Sequence, residues 1–295
     1  MILLWHEGAL GDLLLSRVAP AVLEGEIVLA ARSEARVLFR EAGLVSAVYP
    51  ASLSLLERFD PAAVYLFASR VWWPEEIVQR FGARLKLLPT RPRQGKHLSR
   101  EILAALGRRD FPPKARVLLK ERAVEPGLIV LHPGSGGRYK CAPPRLFREL
   151  YFALEDAGFR PEIILGPAEE GLEKNFSGLR LLVPRTFRET VERLKAARAL
   201  LGHDSGLSHL AAALGCPTLC LFGPTDWRSW SPFGESVLVL VKECRCLGRT
   251  DPRRCQAPCL GEIKTEQLTE LAFSWLSGEE LGNPTPLPGQ RVFFL

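Results

Sequence analysis

The chain has 295 residues, a length that fits two domains of about 120–170 residues better than one. Apolar residues make up 47% and charged residues 24%, which are globular values and exclude bulk disorder. The net charge of +6 favours an anionic partner such as a nucleotide or a phosphorylated lipid. Lys and Arg are spread along the chain without blocks, so nucleic acid is not expected.

No apolar run approaches the roughly 18 residues that cross a bilayer. The first residues, Met-Ile-Leu-Leu-Trp-His-Glu, lack the basic region of a signal peptide. We therefore expect a cytoplasmic protein, with peripheral contact at the inner face of the membrane as an additional expectation.

Short apolar runs alternate with amphipathic stretches in the first part of the chain. This alternation predicts βα units and a parallel sheet. Strands are predicted at 2–5, 27–30, 47–49, 63–67 and 85–88. Helices are predicted at 12–23 with Pro20 interrupting, 33–42, 53–58, 75–81 and 98–106.

A segment rich in Pro and charge, residues 108–127, ends this pattern, and the pattern then restarts. Further strands are predicted at 128–132, 163–165, 181–183, 200–202, 218–222 and 237–241. Further helices are predicted at 144–157, 187–198, 206–215 and 265–276. The expected fold is α/β, with two Rossmann-like domains, 1–122 and 123–295, facing a cleft. In such sheets ligands bind outside the carboxyl ends of the strands.

The first candidate site is Gly8-Ala9-Leu10-Gly11-Asp12, where a predicted strand turns into a helix. The glycines allow a sharp turn and close approach of a ligand. Asp12 is interpreted either as a structural N-cap or as a general base. The spacing is not that of a dinucleotide fingerprint.

The second candidate site is His132-Pro133-Gly134-Ser135-Gly136-Gly137-Arg138-Tyr139-Lys140, directly after a predicted strand. Such a loop can present backbone amides and a cation to a phosphate. It does not have the order of a P-loop, and a flexible surface turn is the alternative interpretation.

The third candidate site is Gly202-His203-Asp204-Ser205-Gly206-Leu207-Ser208-His209, at a predicted junction of strand and helix. The unpaired N–H groups and the dipole at the start of this helix attract phosphate. Asp204 can accept hydrogen bonds from sugar hydroxyls. His209 is either a ligand contact or a buried packing residue.

The fourth candidate site is a group of four cysteines, Cys244, Cys246, Cys255 and Cys259. Four thiols so close in sequence can bind zinc, although the spacing departs from paired C-x-x-C motifs. Free thiols or a disulfide are the alternatives.

The third motif, together with Leu221-Phe222-Gly223-Pro224-Thr225-Asp226, resembles the signature of the lipopolysaccharide heptosyltransferases, glycosyltransferase family nine. Leu10-Gly11-Asp12 and His132-Pro133-Gly134-Ser135 with Lys140 resemble two other motifs of that family. The resemblance implies a GT-B fold with the acceptor site in the first domain and the donor site in the second. It also implies an ADP-heptose donor, a lipopolysaccharide inner-core acceptor and inversion at the anomeric carbon.

Residue roles follow from this resemblance alone. Asp12 corresponds to the catalytic base, and Gly11 beside it is the acceptor-binding residue that the resemblance implies. The donor residues that the resemblance implies are Ser135, Lys140, Glu170 (with Glu169 nearly as good a match), Asp204, Ser205, Gly206 and His209. No Asp-x-Asp metal motif is evident, so no metal is required for transfer, although Mg²⁺ is compatible with it.

A basic stretch, residues 91–97, contains Arg93 and Lys96. We interpret these two residues as candidate contacts to an acidic glycolipid acceptor, with a solvated loop as the alternative. Three other functions remain open: a GT-B enzyme with a different nucleotide-sugar donor, a non-catalytic nucleotide-sugar-binding homologue, and a nucleic-acid module with a zinc loop.

Overall fold

A computed structural model describes residues 1–119, 121–245 and 259–295 of the chain. It divides into two compact units, Met1–Leu119 and Lys120–Leu295. The division lies three residues before the predicted domain boundary, within the Pro-rich segment. Both units have the predicted α/β architecture, and each is described by itself.

The first unit is built on a five-stranded sheet in the order β3-β2-β1-β4-β5. All its neighbouring strands are parallel, and the order is the Rossmann order 3-2-1-4-5-6 without its sixth strand. The strands are β1 (Ile2–His6), β2 (Ile27–Ala31), β3 (Ala47–Tyr49), β4 (Ala63–Phe67) and β5 (Leu85–Leu88). The helices are α1 (Leu10–Leu15), α2 (Arg36–Glu41), α3 (Ser54–Phe59), α4 (Glu75–Phe81) and α5 (Leu98–Ala105).

The first helix is much shorter than predicted. The α-helix ends at Leu15 and continues only as a 3-10 turn over Ser16–Val18, because Pro20 has no N–H and disfavours helical geometry before it. Arg17 of this turn is fully buried. Its guanidinium donates to the carbonyl oxygens of Leu14 at 2.7 Å and Ala115 at 2.6 Å, which ties the end of the unit to its start. Burial lowers the pKa of Arg17 to about 9.

The second unit is built on an eight-stranded sheet in the order β12-β13-β11-β10-β9-β6-β7-β8. Among the described strands of this sheet, only the edge strand β12 is antiparallel. The strands are β6 (Glu125–His132), β7 (Arg160–Ile164), β8 (Leu181–Leu182), β9 (Ala197–His203), β10 (Thr218–Phe222), β11 (Val237–Val241), β12 (Asn283–Pro284) and β13 (Gln290–Phe294). The helices are α6 (Pro144–Asp156), α7 (Phe187–Ala196), α8 (Gly206–Ala213), α9 (Trp227–Trp230) and α10 (Thr265–Leu276).

Strand β13 was not predicted from the sequence. Its first residues, Gln290 and Arg291, break the apolar pattern. Gln290 is nevertheless buried, because its amide donates to the carbonyl of Pro232 at 2.6 Å and the hydroxyl of Ser231 at 2.9 Å. A satisfied amide can be buried at little cost.

The topology of this second sheet fixes where a ligand can bind. The chain runs from β6 outward to β7 and β8 on one side and then crosses back to β9 on the other side of β6, so the strand order reverses between β6 and β9. The carboxyl ends of these parallel strands lie at one edge, and the point of reversal is the usual ligand crevice of such a sheet. Within the described residues, no helix combines the length and apolar character that a membrane crossing requires.

Candidate functional site

The start of α8 lies at this point of reversal. The preceding strand, β9, ends at His203, and Ser205 is the N-cap of the helix. The Ser205 hydroxyl accepts from the backbone N–H of Ser208 at 3.3 Å. The N–H groups of Gly206 and Leu207 occupy the first helical positions, ahead of the intrahelical hydrogen bonds. The sequence therefore forms the predicted junction of strand and helix, a geometry that can bind an anion.

An ion pair with a buried carboxylate and a half-buried ammonium group lies beside this helix terminus. The ammonium group of Lys140 is 2.8 Å from Oδ2 of Asp204, and the two side chains are 23% and 7% exposed. Thr225, in the turn after β10, donates to the same carboxylate oxygen at 2.9 Å. The loop after β6, the turn after β9 and the turn after β10 thus meet at one carboxylate. This arrangement places a cation and a hydrogen-bond acceptor next to unpaired helix N–H groups.

Ser135 fixes the loop after β6 to the same turn. Its hydroxyl donates to the backbone carbonyl of Asp204 at 2.7 Å, and the side chain is buried. Cys141, at the end of the loop, is half-buried, and burial raises the pKa of its thiol to about 11. The loop is therefore part of the site, in contrast to the surface turn that was the alternative interpretation.

Glu169 and His132 form a second buried pair. Glu169 Oε1 lies 3.7 Å from His132 Nε2, and both side chains are 5% exposed. Glu169 Oε2 accepts from the backbone N–H of Gly166 at 2.8 Å. Burial alone would raise the Glu169 pKa, but the interactions with His132 and Gly166 outweigh it, and the net effect lowers the pKa. The carboxylate is therefore held ionised in the folded protein.

The close approach of this carboxylate to the loop requires a glycine. A Cβ atom on Gly134 would lie 2.1 Å from Cγ of Glu169 and 2.3 Å from its Oε1. By contrast, a Cβ on Gly136 would meet nothing within 4 Å. Only the first of these two glycines is demanded by packing.

Two histidines connect the strand ends to the loops. His132 Nδ1 and the Ser205 hydroxyl are joined by a 3.1 Å hydrogen bond. His203 Nε2 accepts from the backbone N–H of Ala142 at 2.9 Å, and burial lowers the His203 pKa to about 3. His203 is therefore neutral and acts as a fixed acceptor that orients the loop.

The structure distinguishes the two candidate glutamates. Glu169 is buried within the site, whereas Glu170 is exposed. The 3-10 turn Pro167–Glu169 directs Glu169 inward, which favours this second match on geometry, and the assignment of Glu170 stays a prediction. His209 lies one helical turn after Ser205 on α8 and is buried. This position is compatible both with a ligand contact and with a packing residue.

In the first unit, Asp12 lies in the first turn of α1 and is half-buried. Ala9 is the N-cap residue of that helix and makes no side-chain cap hydrogen bond, so Asp12 is not itself the N-cap residue. His6, at the end of β1, accepts from the backbone N–H of Gly8 at 3.2 Å. Burial lowers the His6 pKa to about 4, so the ring is neutral.

Gly8 separates this histidine from the carboxylate. A Cβ atom at Gly8 would lie 2.7 Å from Cε1 of His6 and 3.2 Å from Oδ2 of Asp12. The imidazole and the carboxylate therefore flank the same glycine, and any side chain at this position would disturb both. Gly11, next to Asp12, is half-buried.

The predicted acceptor contacts of the basic stretch are differently placed. Arg93 forms a bidentate ion pair with Glu101, at 2.7 and 2.9 Å, and this pairing raises the Arg93 pKa. Its charge is thus already matched within the first unit, which favours the solvated-loop interpretation for Arg93. Lys96 is exposed in the same loop.

The four predicted metal ligands are only partly described. Cys246 and Cys255 lie outside the described residues. Cys244 and Cys259 are buried in one apolar cluster of the second unit. Among the described residues no group of three or more His, Cys, Asp and Glu side chains could hold a metal, so the zinc site stays a prediction.

Sequence reasoning selected Asp204, Lys140, Ser135 and Ser205 and missed the residues that hold them. Thr225 and His132 belong to motifs that were identified in the sequence. Their hydrogen-bond partners, however, lie on other loops that come together only in the folded chain. Ser208 was also missed, and its hydroxyl donates to the His203 carbonyl at 2.6 Å.

Residues 106–256, about half of the chain, match the family described as glycosyltransferase family 9 (heptosyltransferase). Lipopolysaccharide heptosyltransferase 1 of Pseudomonas aeruginosa is 33% identical over 150 residues, which are 49% of this chain and 39% of that protein. The chain therefore aligns with about two fifths of the length of this relative.

Solved structures resemble the chain over nearly its whole length. The glycosyl transferase family 9 protein of Veillonella parvula has a TM-score of 0.72 at 15% identity, covering 94% of this chain and 97% of that one. The Escherichia coli heptosyltransferase WaaC with ADP has a TM-score of 0.65 at 16% identity, covering 93% and 99%. The iron-containing heptosyltransferase TibC of enterotoxigenic E. coli, in complex with ADP-D-beta-D-heptose, has a TM-score of 0.64 at 17% identity, covering 94% and 76%.

At these identities the structures show a shared fold, which confirms the expected class. The matched family segment contains the whole constellation at the point of reversal, from His132 through Lys140 and Asp204 to Thr225. Sequence and architecture agree on the same half of the molecule, and the chain belongs to glycosyltransferase family 9, the heptosyltransferase family.

Proposed function

We propose that the chain is an inverting glycosyltransferase that moves a heptose-like sugar from an ADP-sugar to a lipopolysaccharide inner-core or related glycan acceptor. The observation that carries the proposal is the meeting of Lys140, Asp204 and Thr225 beside the start of α8. A diphosphate needs a cation and unpaired N–H groups, and a sugar needs a fixed acceptor for its hydroxyls. This site offers all three.

In the proposed donor complex, the leaving diphosphate lies at the N–H groups of Gly206 and Leu207 and the ammonium group of Lys140. Lys140 is held by Asp204 in the structure, so the incoming phosphate shares the ammonium with that carboxylate. Glu169 is the acceptor proposed for the nucleotide ribose, because it is ionised and fixed by Gly166. ADP is the proposed nucleotide because the WaaC and TibC structures contain ADP and ADP-D-beta-D-heptose.

The proposed reaction is a single displacement. An acceptor hydroxyl oxygen forms a bond to the anomeric carbon on the face opposite the diphosphate, and the bond from that carbon to the diphosphate oxygen breaks. Asp12 takes the proton of the attacking hydroxyl, a role that rests on its resemblance to the family's base and its place in the first turn of α1. Lys140 and the start of α8 stabilise the charge of the departing ADP.

The proposal can be tested by nucleotide selectivity. Purified protein is heated with ADP, UDP, GDP or CMP, with and without magnesium. A ligand at one hundred times its dissociation constant adds about 2.7 kcal/mol of stability. A shift selective for ADP supports the proposed donor, and selectivity for another nucleotide transfers the proposal to a different nucleotide-sugar. Absence of any shift would favour a non-catalytic homologue.

A metal at the cysteine group is a second proposal. Cys244 and Cys259 are buried in the same cluster. A Cβ on Gly223 would lie 2.9 Å from the Cys259 sulfur, and Gly223 and Cys244 line the same cavity. Two of the four thiols thus lie in one region. Four thiolates suit zinc or iron, and TibC is described as iron-containing, so both metals should be measured per chain in wild type and Cys244→Ser.

Location is part of the proposal. An acceptor attached to lipid would bring the enzyme to the inner face of the cytoplasmic membrane, and we propose peripheral contact there. Sedimentation with vesicles that carry the glycolipid, compared with vesicles that lack it, tests this.

A further inference from the structure

His132, the last residue of β6, lies between the two halves of the proposed donor site. Its Nε2 atom is 3.7 Å from Oε1 of Glu169, and its Nδ1 atom is 3.1 Å from the hydroxyl oxygen of Ser205. The ring is buried. One imidazole thus joins the carboxylate proposed for the ribose to the hydroxyl that caps α8, the helix proposed for the diphosphate.

The partners of this ring determine where its protons lie. The carboxylate of Glu169 is ionised and only accepts, so Nε2 of His132 carries the proton that faces it. In the neutral ring Nδ1 is then an acceptor, and the Ser205 hydroxyl donates to it. The Ser208 hydroxyl is 3.3 Å from that of Ser205, but its own proton is given to the His203 carbonyl at 2.6 Å.

A neutral His132 therefore keeps the Ser205 hydroxyl proton away from a ligand. A serine hydroxyl has a single proton, and in this arrangement that proton is directed at Nδ1. When the ring gains a second proton, Nδ1 becomes a donor and the Ser205 oxygen accepts from it, so the hydroxyl proton can be given to a diphosphate oxygen. The same oxygen has a second lone pair and still accepts from the backbone N–H of Ser208, so the helix cap is retained.

The titratable groups around His132 lie on three elements. Glu169, in the turn after β7, favours the protonated ring. His203, on β9, is neutral because burial lowers its pKa to about 3, so it adds no competing positive charge. Lys140 and Asp204 form an ion pair without net charge. The negative charge of an incoming diphosphate is therefore the change that favours proton uptake.

We propose that His132 is a positioning residue of the donor site, which takes up a proton when the diphosphate binds and so makes the Ser205 hydroxyl a hydrogen-bond donor to the diphosphate. The inference rests on the proposed function, because the diphosphate at α8 supplies the charge that stabilises the imidazolium. An imidazole suits this role, since it is the side chain that ordinarily gains a proton near neutral pH. The proton comes from solvent and stays on the ring while the diphosphate is bound.

The test is calorimetric titration of the full chain with ADP-glucose at one pH in two buffers of different ionisation enthalpy, which counts the protons taken up on binding. Both phosphates of ADP-glucose are esterified, so the probe lacks the second ionisation that a terminal phosphate has at about pH 6. We expect uptake of about 0.5–1 proton per ligand, and accordingly about three- to tenfold tighter binding at pH 7 than at pH 8.

Two variants isolate the role of the ring. His132→Asn keeps a hydrogen-bonding atom near the position of Nδ1 but does not titrate, so it should bind ADP-glucose without proton uptake and with equal affinity at the two pH values. Ser205→Ala removes the acceptor that a protonated Nδ1 requires, so uptake should be lost there as well. His97→Asn is the matched control, because His97 is also a buried histidine and caps α5 in the first unit. It should retain the uptake of wild type.

The outcomes separate this inference from the proposed function. Binding of ADP-glucose to wild type without proton uptake would overturn the role of His132 and leave the proposed function standing. Wild-type uptake in His132→Asn or in Ser205→Ala would also overturn it, and each variant decides the question without the other. Failure of ADP-glucose to bind wild type would contradict the proposed function and this inference with it.

Discussion

Replacement of Gly134 by Ala should displace Glu169 from the site. The new Cβ would lie 2.1–2.3 Å from three atoms of the Glu169 side chain, closer than folded proteins allow, so the carboxylate must move. It would then lose the 2.8 Å hydrogen bond from Gly166 and the contact with His132. A hydrogen bond to a charged group contributes about 1.5–3 kcal/mol. With the second contact we expect a total loss of about 2–4 kcal/mol.

For a unit of this size that loss corresponds to a decrease in Tm of about 6–12 °C. Because Glu169 is also the proposed ribose contact, affinity for ADP should fall about tenfold. Thermal unfolding and calorimetric titration of ADP measure the two effects. Gly136→Ala is the matched control in the same loop, since a Cβ there meets nothing within 4 Å.

A double variant isolates the mechanism. In the Glu169→Ala background the clashing atoms are absent, so Gly134→Ala should cost much less there than in wild type. If Gly134→Ala matches Gly136→Ala in both stability and ADP affinity, or if its cost is unchanged in the Glu169→Ala background, the reasoning about this pair is refuted.

Three further predictions follow from other residues. Lys140→Met removes the partner of the buried Asp204 carboxylate. We expect the free energy of unfolding in urea to fall by about 1–3 kcal/mol and calorimetry to show at least tenfold weaker ADP binding. Wild-type ADP affinity in this variant would contradict the role assigned to Lys140. Asp12→Asn should lower turnover by orders of magnitude in a transfer assay while ADP binding stays constant; an unchanged rate would exclude Asp12 as the base. His203 has a pKa of about 3 in the folded protein, against a usual 6.5, so below pH 6.5 the unfolded state binds a proton that the folded state does not. The free energy of unfolding should therefore fall by about 2 kcal/mol from pH 7 to pH 5. His203→Gln should remove that part of the decrease when urea unfolding is measured at the two pH values.

The sheets were predictable because strands buried on both faces are continuous apolar runs. Strands such as β4 and β10 lie where their runs predicted them. Strand β13 was hidden because its first residues are polar, and Gln290 is buried only through partners on a distant turn. Burial of a satisfied polar side chain is a tertiary effect that no local pattern contains.

The site was predictable where motif and secondary structure coincide, as at Ser205 and the start of α8. The choice between Glu169 and Glu170 was not, because it depends on which residue of a short 3-10 turn faces the loop after β6. The contact of Thr225 with Asp204 likewise needs the order of the strands. Sequence motifs therefore located the candidate site in the second unit, and its remaining contacts depend on how separate loops come together in the fold.

The most direct test of the proposed function is a transfer assay with ADP-heptose and an inner-core glycan that lacks heptose. Mass spectrometry of the glycan and quantification of ADP are made on the same reaction, with Asp12→Asn in parallel. We expect one added sugar per ADP released by wild type and almost none by the variant. Release of ADP without sugar on the glycan, or no reaction with a protein that binds ADP, would contradict it.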